Sequence, residues 1–255
     1  DHCIAIGRNA FIGVDGGATD GNYNIAIGSY SLDAVTSGQS NLGIGHNAGT
    51  AITSGYYNIA IGHSALQTED AANGTVAIGY TALQDQNDDN AHNVAVGYQA
   101  GLNLTSGTDG VYIGYQAGGV GIITGDDNTV VGYAAGYDLT SGYRNVLIGS
   151  GAGANVTDNY TNVAIGHNAF LAANTGENYN IAIGGNALYS ETSGADYCIA
   201  IGYNSLIGQN ASVVNTGVGG SALFHNKSGG NSVALGMSAG FGPILVLHSP
   251  TALAT

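Results

Sequence analysis

A glycine that follows an aliphatic residue returns through this chain at an almost constant interval. It stands at Gly7, Gly28, Gly45, Gly62, Gly79, Gly97, Gly114, Gly132, Gly149, Gly166, Gly184, Gly202, Gly219 and Gly236, fourteen copies in all. The first interval is 21 residues and every later one is 17 or 18. A unit this short cannot bury its own apolar face, so it must stack on its neighbours as a solenoid or fibre. The expectation is an all-β parallel β-solenoid of about 14 rungs over residues 1–240. Residues 241–255, which hold both prolines, read as a C-terminal cap or a transition segment.

Positions are numbered here from the anchor glycine of each copy. Positions −3 and −1 are mostly Ile, Val or Leu, as in Ile25 and Ile27 or Val94 and Val96. Alternation with period two ending at a glycine predicts a short strand and a corner. Position −2 lies on the opposite face, where a solvated strand would carry Thr, Lys or Glu. Instead it is Ala in nine copies (Ala5, Ala26, Ala60, Ala77, Ala95, Ala164, Ala182, Ala200 and Ala234) and Gly at Gly43 and Gly217. A strand apolar on both faces is buried on both. The expectation is that −3 and −1 fill the coil, while the small −2 face, Ala26, Ala60, Ala77, Ala95, Ala164, Ala182 and Ala200 among it, presses on other copies of the chain. A thin solenoid with tight corners would favour alanine as well. Tyr112, Val130 and Leu147 break the rule in three consecutive copies. They are expected to widen the contact between chains locally or to mark a change in how chains meet.

Position +3 is Ala or Ser in all fourteen copies, which implies a site with no room for more. Position +4 divides the copies into Ala-Leu or Ala-Phe (Ala65-Leu66, Ala169-Phe170) and Ala-Gly with a later aliphatic and Thr (Ala100-Gly101 with Leu104-Thr105). In both classes an apolar residue is expected to swing inward as a second short strand. Turns such as Thr36-Ser37-Gly38 and Thr140-Ser141-Gly142 close each coil, the glycine supplying positive φ and the hydroxyls capping the bend. Position −4 is Asn in nine copies, spaced to hydrogen-bond above and below as ladders in parallel stacks do.

Charge narrows the partners. Three Lys and Arg residues stand against 17 acidic ones, a net −14. Phosphate binding needs cations to displace counterions, so nucleic acid is excluded, and an anionic membrane surface is disfavoured. No run of 18 apolar residues exists, so no membrane-spanning helix is expected. Cys3 and Cys198 occupy the −4 position eleven copies apart, roughly 50 Å at about 4.8 Å per strand, and read as small ladder residues rather than a disulfide. The chain begins inside a repeat, with no initiator Met, and reads as part of something longer.

The words Asn-[Ile/Val]-Ala-[Ile/Val]-Gly-x-x-Ala resemble the head repeats of trimeric autotransporter adhesins of the YadA-like type. The longer form, Asn93-Val94-Ala95-Val96-Gly97-Tyr98-Gln99-Ala100-Gly101 with Thr105-Ser106-Gly107, is more similar still to repeats of phage tail fibres. The resemblance covers roughly residues 1–240. It implies a left-handed parallel β-roll, a coaxial homotrimer, and attachment to a surface, either in a virion tail fibre or at a cell surface outside the cell. The motif is specific for architecture and weak for target. The repeats are longer than those of the adhesin heads, and no neck, coiled coil or membrane anchor is present, which favours the phage-fibre side.

Candidate chemistry is sparse. His46, His63 and His167 stand at +1; the first two, in adjacent copies, are weak metal candidates against a surface-corner reading. Tyr80, Tyr98, Tyr115 and Tyr133 run at +1 through four consecutive copies. Such a stripe could stack on glycan faces or pack rung on rung, and packing is the favoured reading. Acidic turns at Asp85–Asp89 and Asp126-Asp127-Asn128 are oxygen-rich enough for Ca²⁺. The calcium-binding glycine–aspartate repeat is absent and Asp and Asn are ordinary turn residues, so no cofactor is expected and Ca²⁺ stays the weaker reading. Three glutamates, Glu69, Glu177 and Glu191, fall in loops, and no nucleophile–base motif is present, so no enzyme is expected. The function expected is a non-enzymatic fibre segment, shaft or head, partnered by itself and by a host surface glycan or protein. A structural filament or sheath subunit that polymerises without a receptor is the alternative. An ice- or crystal-binding monomer would need a flat Thr-x-Thr face, and none repeats here.

Overall fold

The computed structural model describes residues 2–13, 21–88, 91–119, 121–173, 176–190, 196–209, 214–227 and 229–240. Every anchor glycine closes a strand: β1 (Ile4–Ile6), β2 (Ile25–Ile27), β3 (Leu42–Ile44), β4 (Ile59–Ile61), β5 (Val76–Ile78), β6 (Val94–Val96), β7 (Val111–Ile113), β8 (Thr129–Val131), β9 (Val146–Ile148), β10 (Val163–Ile165), β11 (Ile181–Ile183), β12 (Ile199–Ile201), β13 (Asn215–Val218) and β14 (Ser232–Leu235). They form one parallel sheet in chain order, position on position, so Ala26 lies beside Gly43 and Ala164 beside Ala182. The fold is an all-β parallel solenoid.

The rest of each coil is not a second strand. Among the described residues only an isolated bridge joins Leu104 to Ile123 outside the sheet. The chain turns at −5, +2 and +4, where even non-glycine residues take left-handed φ: Tyr57 at 61°, Ser64 at 52° and Leu66 at 51° in one coil. These bends curl the path too tightly for an extended segment. Hydrogen bonds between coils continue nonetheless, as when the Leu32 N–H donates to Ala48 O at 3.0 Å and the Leu66 N–H to Ala82 O at 3.0 Å. The coil is thus laddered around much of its circumference, which satisfies backbone groups that a turn would otherwise leave unpaired. The anchor glycine is required twice over. Gly7 has φ of 135°, and a Cβ there would fall 2.6 Å from the Gly28 carbonyl of the next coil.

The core reverses the expected sidedness of the strand. Ala26, Ala60, Ala77, Ala95, Ala164, Ala182 and Ala200 are fully buried within their own coil and form no outer surface. The flanking −3 and −1 residues are the ones that face outward, partly exposed in nearly every coil. The reason is room. The interior already holds the fully buried +3 alanines and the inward +4 side chains. At Gly43 even a Cβ would come within 2.7 Å of Leu32 Cγ. Two β-branched side chains per strand do not fit in that space; one methyl does.

Tyr112, Val130 and Leu147 are explained inside the coil as well, and all three are fully buried. Each belongs to a copy whose +4 residue is glycine: Gly118, Gly136 and Gly153. A Cβ on Gly118 would strike the Tyr112 ring and one on Gly153 would come within 2.7 Å of Leu147 Cδ2. The bulky −2 side chain occupies the volume that Leu66 or Leu83 fills elsewhere. Where +4 is glycine a buried aliphatic follows, at +7 as Ile52, Leu104, Leu139 and Val156, or at +9 as Ile123 in the Gly118 coil. Where +4 is Leu or Phe, +7 varies more widely, from Val35 through Ala173 to the polar Glu69, Gln86 and Gln209. The repeat classes are therefore alternative ways of filling one cross-section.

The asparagines at −4 turn inward and build a buried ladder. Asn24 Oδ1 accepts the Asn41 N–H at 2.9 Å, Asn41 Oδ1 accepts the Asn58 N–H at 2.9 Å, and Asn58 Oδ1 accepts the Thr75 N–H at 2.9 Å. Each Nδ2 donates to the carbonyl that closes its coil, as Asn24 to Gly38 O at 2.8 Å. The series resumes from Asn128 through Asn145, Asn162 and Asn180 to the Cys198 N–H. The threonine hydroxyls of the turns also work between coils, Thr36 Oγ1 donating to Thr53 O at 3.1 Å.

Candidate functional site

Because −2 faces in, the outward face of the sheet is aliphatic in nearly every coil, with Ile25 and Ile27, Leu42 and Ile44, Ile59 and Ile61, and onward to Ile199 and Ile201, interrupted at −3 by Thr129 and Thr216. Ladder pairing fixes this strip as a continuous surface, since every −3 stacks on a −3 and every −1 on a −1. The thirteen strand-to-strand steps give it a length of roughly 60 Å at about 4.8 Å each. A contiguous apolar surface beyond a few hundred Å² on a single chain marks an interaction site. No helix among the described residues is long and apolar enough to cross a membrane.

Two columns border the strip. On the −1 side stands position +1, with His46, His63, Tyr80, Tyr98, Tyr115 and Tyr133 in six consecutive coils. Their rings stack at centroid distances of 5.1, 5.3, 5.2, 5.0 and 5.3 Å, the tyrosines within 10° of parallel. On the −3 side stands position −5, with Tyr23, Tyr57, Tyr179 and Tyr197 exposed. Here Tyr179 stacks on Tyr197 at 5.0 Å, next to the stacked pair Tyr143 and Tyr160 of position −6 at 4.9 Å. The same border carries the side-chain pair His92–Asp109 at 3.5 Å and the ion pair Asp127–Arg144 at 3.4 Å. Aliphatic centre and tyrosine rim together have the anatomy of a protein interface.

The geometry bears on each sequence candidate. In the stripe Tyr80, Tyr98, Tyr115 and Tyr133 the rings cover one another's faces. The stripe therefore offers edges and hydroxyls outward, and glycan stacking on successive faces has no surface to use. His46 and His63 stack within 16° of parallel. They stand at the border of the strip rather than on its midline, and no group of three or more His, Cys, Asp or Glu suited to a metal occurs among the described residues. Asp126 Oδ1 accepts the Thr108 N–H at 2.9 Å, an aspartate counterpart of Asn73 Oδ1 on the Tyr56 N–H at 2.9 Å. Asp89, Glu191 and residues 241–255 lie outside the described residues.

Sequence reasoning missed the buried acids. Glu69 Oε1 accepts the Ala71 and Ala72 N–H groups at 3.0 and 2.7 Å. Its Oε2 accepts Gln86 Nε2 at 3.0 Å and the Asp88 N–H at 3.3 Å. Glu177 Oε2 accepts Asn159 Nδ2 at 2.6 Å. Both carboxylates stitch neighbouring coils from inside, where no substrate reaches them; the signal was their place at inward phases of the repeat. Cys198 Sγ accepts Gln209 Nε2 at 2.9 Å, in keeping with its place on the asparagine ladder. Tyr112 Oη is buried without a well-formed hydrogen bond, the Asn128 side chain being its near polar neighbour, and burial pushes its pKa well above the usual phenol value against a smaller lowering by Asn128. No protein-family model matches the chain, and no curated protein and no solved structure matches it either.

Proposed function

We propose that this chain is a non-enzymatic fibre segment, shaft or head, of a surface-attachment protein such as a phage tail fibre or a cell-surface adhesin. It would work outside the cell as a homotrimer of left-handed rolls lying side by side about one axis. The observation that carries this reading is the largely aliphatic outer face of β1–β14. Including its tyrosine borders the face measures roughly 60 by 20 Å, on the order of 1,200 Å² per chain. Shared between two neighbours, it gives about 600 Å² per side and on the order of 1,200 Å² in total for each seam, at the lower edge of standard stable interfaces. Closed cyclic symmetry about an axis parallel to the stack would cover the whole length at once. Parallel ladders would supply a stiff rod, and threefold repetition of weak surface contacts would supply avidity for a host glycan or protein. The −14 net charge argues against nucleic acid as the target.

Light scattering on the purified chain tests the assembly. A mass near three times 25.4 kDa supports it, and a folded monomer overturns it. A mass that climbs with concentration without a limit supports the filament subunit instead. Binding of the trimer to candidate host cells then separates attachment from a purely structural role.

A further inference from the structure

Resting on the reading of the chain as a closed assembly about an axis parallel to the stack, we infer that each seam joins the −5 column of one chain to the +1 column of the next at the same coil. A rotation with no translation along the axis leaves every coil at its own height in all copies. Each chain runs its strands in one direction across the strip, so the edge where strands begin meets the edge where the neighbour's strands end.

In most coils the residues of the two edges fit this joint as a ring against a small or accepting residue, while at β4 Tyr57 meets His63 and at β12 Tyr197 meets Tyr203, ring against ring. In the coils of β5 to β8 the +1 residues are Tyr80, Tyr98, Tyr115 and Tyr133. The −5 residues of the same coils are Gly74, His92, Asp109 and Asp127, which leave room for a ring or accept from a phenol. In the coils of β2 and β11 the ring is on the other edge, Tyr23 and Tyr179, and +1 shrinks to Ser29 and Gly185. At β9 the guanidinium of Arg144 meets Ser150. No coil sets like-charged carboxylates against each other. Asp109 and Asp127, tied within the chain to His92 and Arg144, become acceptors for the Tyr115 and Tyr133 hydroxyls of the adjoining copy, and the exposed tyrosine rims close over the aliphatic centre.

A paired-cysteine experiment reads the seam. Thr161→Cys and His167→Cys place thiols on the two exposed edges of the β10 coil. Within one chain six residues of mostly extended backbone, roughly 15–20 Å, separate them, which is beyond disulfide reach. A Cys3→Ser background removes the one native cysteine that is not fully buried. Under mild oxidation the double variant is expected to run as a covalent trimer on a non-reducing gel, while either single variant runs as a monomer. The control pair, Ser150→Cys with Thr161→Cys, is offset by one coil and is expected to link far less. Linking in the offset pair alone overturns the same-coil register. A wild-type trimer in which neither pair links overturns the seam while leaving the assembly in place. A wild-type monomer by light scattering removes both.

Discussion

At the scale of single residues, the asparagine ladder is where backbone and side chain become one hydrogen-bonded system. Asn145 accepts the Asn162 N–H at 3.0 Å and donates to Asn159 O at 2.7 Å, all three residues being buried. Asn145→Ala leaves two buried backbone groups unpaired, and each such loss costs about 1–3 kcal/mol. A loss of about 2–4 kcal/mol in denaturant unfolding is expected, with little effect from Asn→Ala at an exposed position such as Asn155. Tyr112 is the opposite case, since its buried hydroxyl has no well-formed hydrogen bond. Tyr112→Phe is expected to be neutral or stabilising by up to about 1–2 kcal/mol. The same residue predicts a pH dependence. Its phenol pKa is raised in the folded chain, so its stabilising contribution is present below the ordinary value near 10. That contribution declines as pH climbs above 10 toward the folded value. Melting temperatures followed above pH 9 are expected to fall less steeply in Tyr112→Phe than in the native chain. An equal slope in both would remove Tyr112 from the account.

At the scale of the coil, the strand has a crowded inside and an aliphatic outside, and substitutions on the two faces should separate stability from assembly. Ala164→Leu adds bulk beside the inward Phe170, where overpacking costs about 1–3 kcal/mol. It is expected to lower the unfolding midpoint whatever the oligomeric state. Ile165→Ser, on the outward neighbour, is expected to weaken association first and to leave the circular dichroism of the isolated chain close to native. The polar interior predicts a further cost. Glu69→Gln puts an amide N–H₂ where backbone and Gln86 N–H groups now donate to carboxylate oxygen. A loss of about 2–3 kcal/mol is expected in the same unfolding experiment, because hydrogen bonds to a charged acceptor are the stronger kind.

At the scale of the whole molecule, stability in such a stack is a sum of coil terms and contacts between neighbouring coils. In the proposed assembly the outer strip would add a third contribution, made between chains. Serine at Ile59, Ile61, Val163 and Ile165 together is expected to reduce the scattering mass to 25.4 kDa without unfolding the ladder. A variant that stays at three times that mass would show that chains associate through another face. The tyrosine ladders should respond separately. Their rings stack along the chain itself, so Tyr98→Ala is expected to loosen neighbouring coils locally by about 0.5–1.5 kcal/mol.

The repeat alone determined a great deal: fourteen glycines in phase specified the parallel stack, its register, the corners and the asparagine ladder. Period-two alternation also showed which residues share a face, but it carries no label for inside and outside, because either face of an apolar strand could have been the core. Tertiary structure decided that question through volume. With +3 and +4 already turned inward, only Ala or Gly fits at −2 unless +4 is glycine, so the isoleucines and valines were left to the surface. The left-handed bends at Tyr57, Ser64 and Leu66 were illegible for a related reason. Nothing in those side chains asks for positive φ, and only the hydrogen bonds and packing of adjacent coils hold them there.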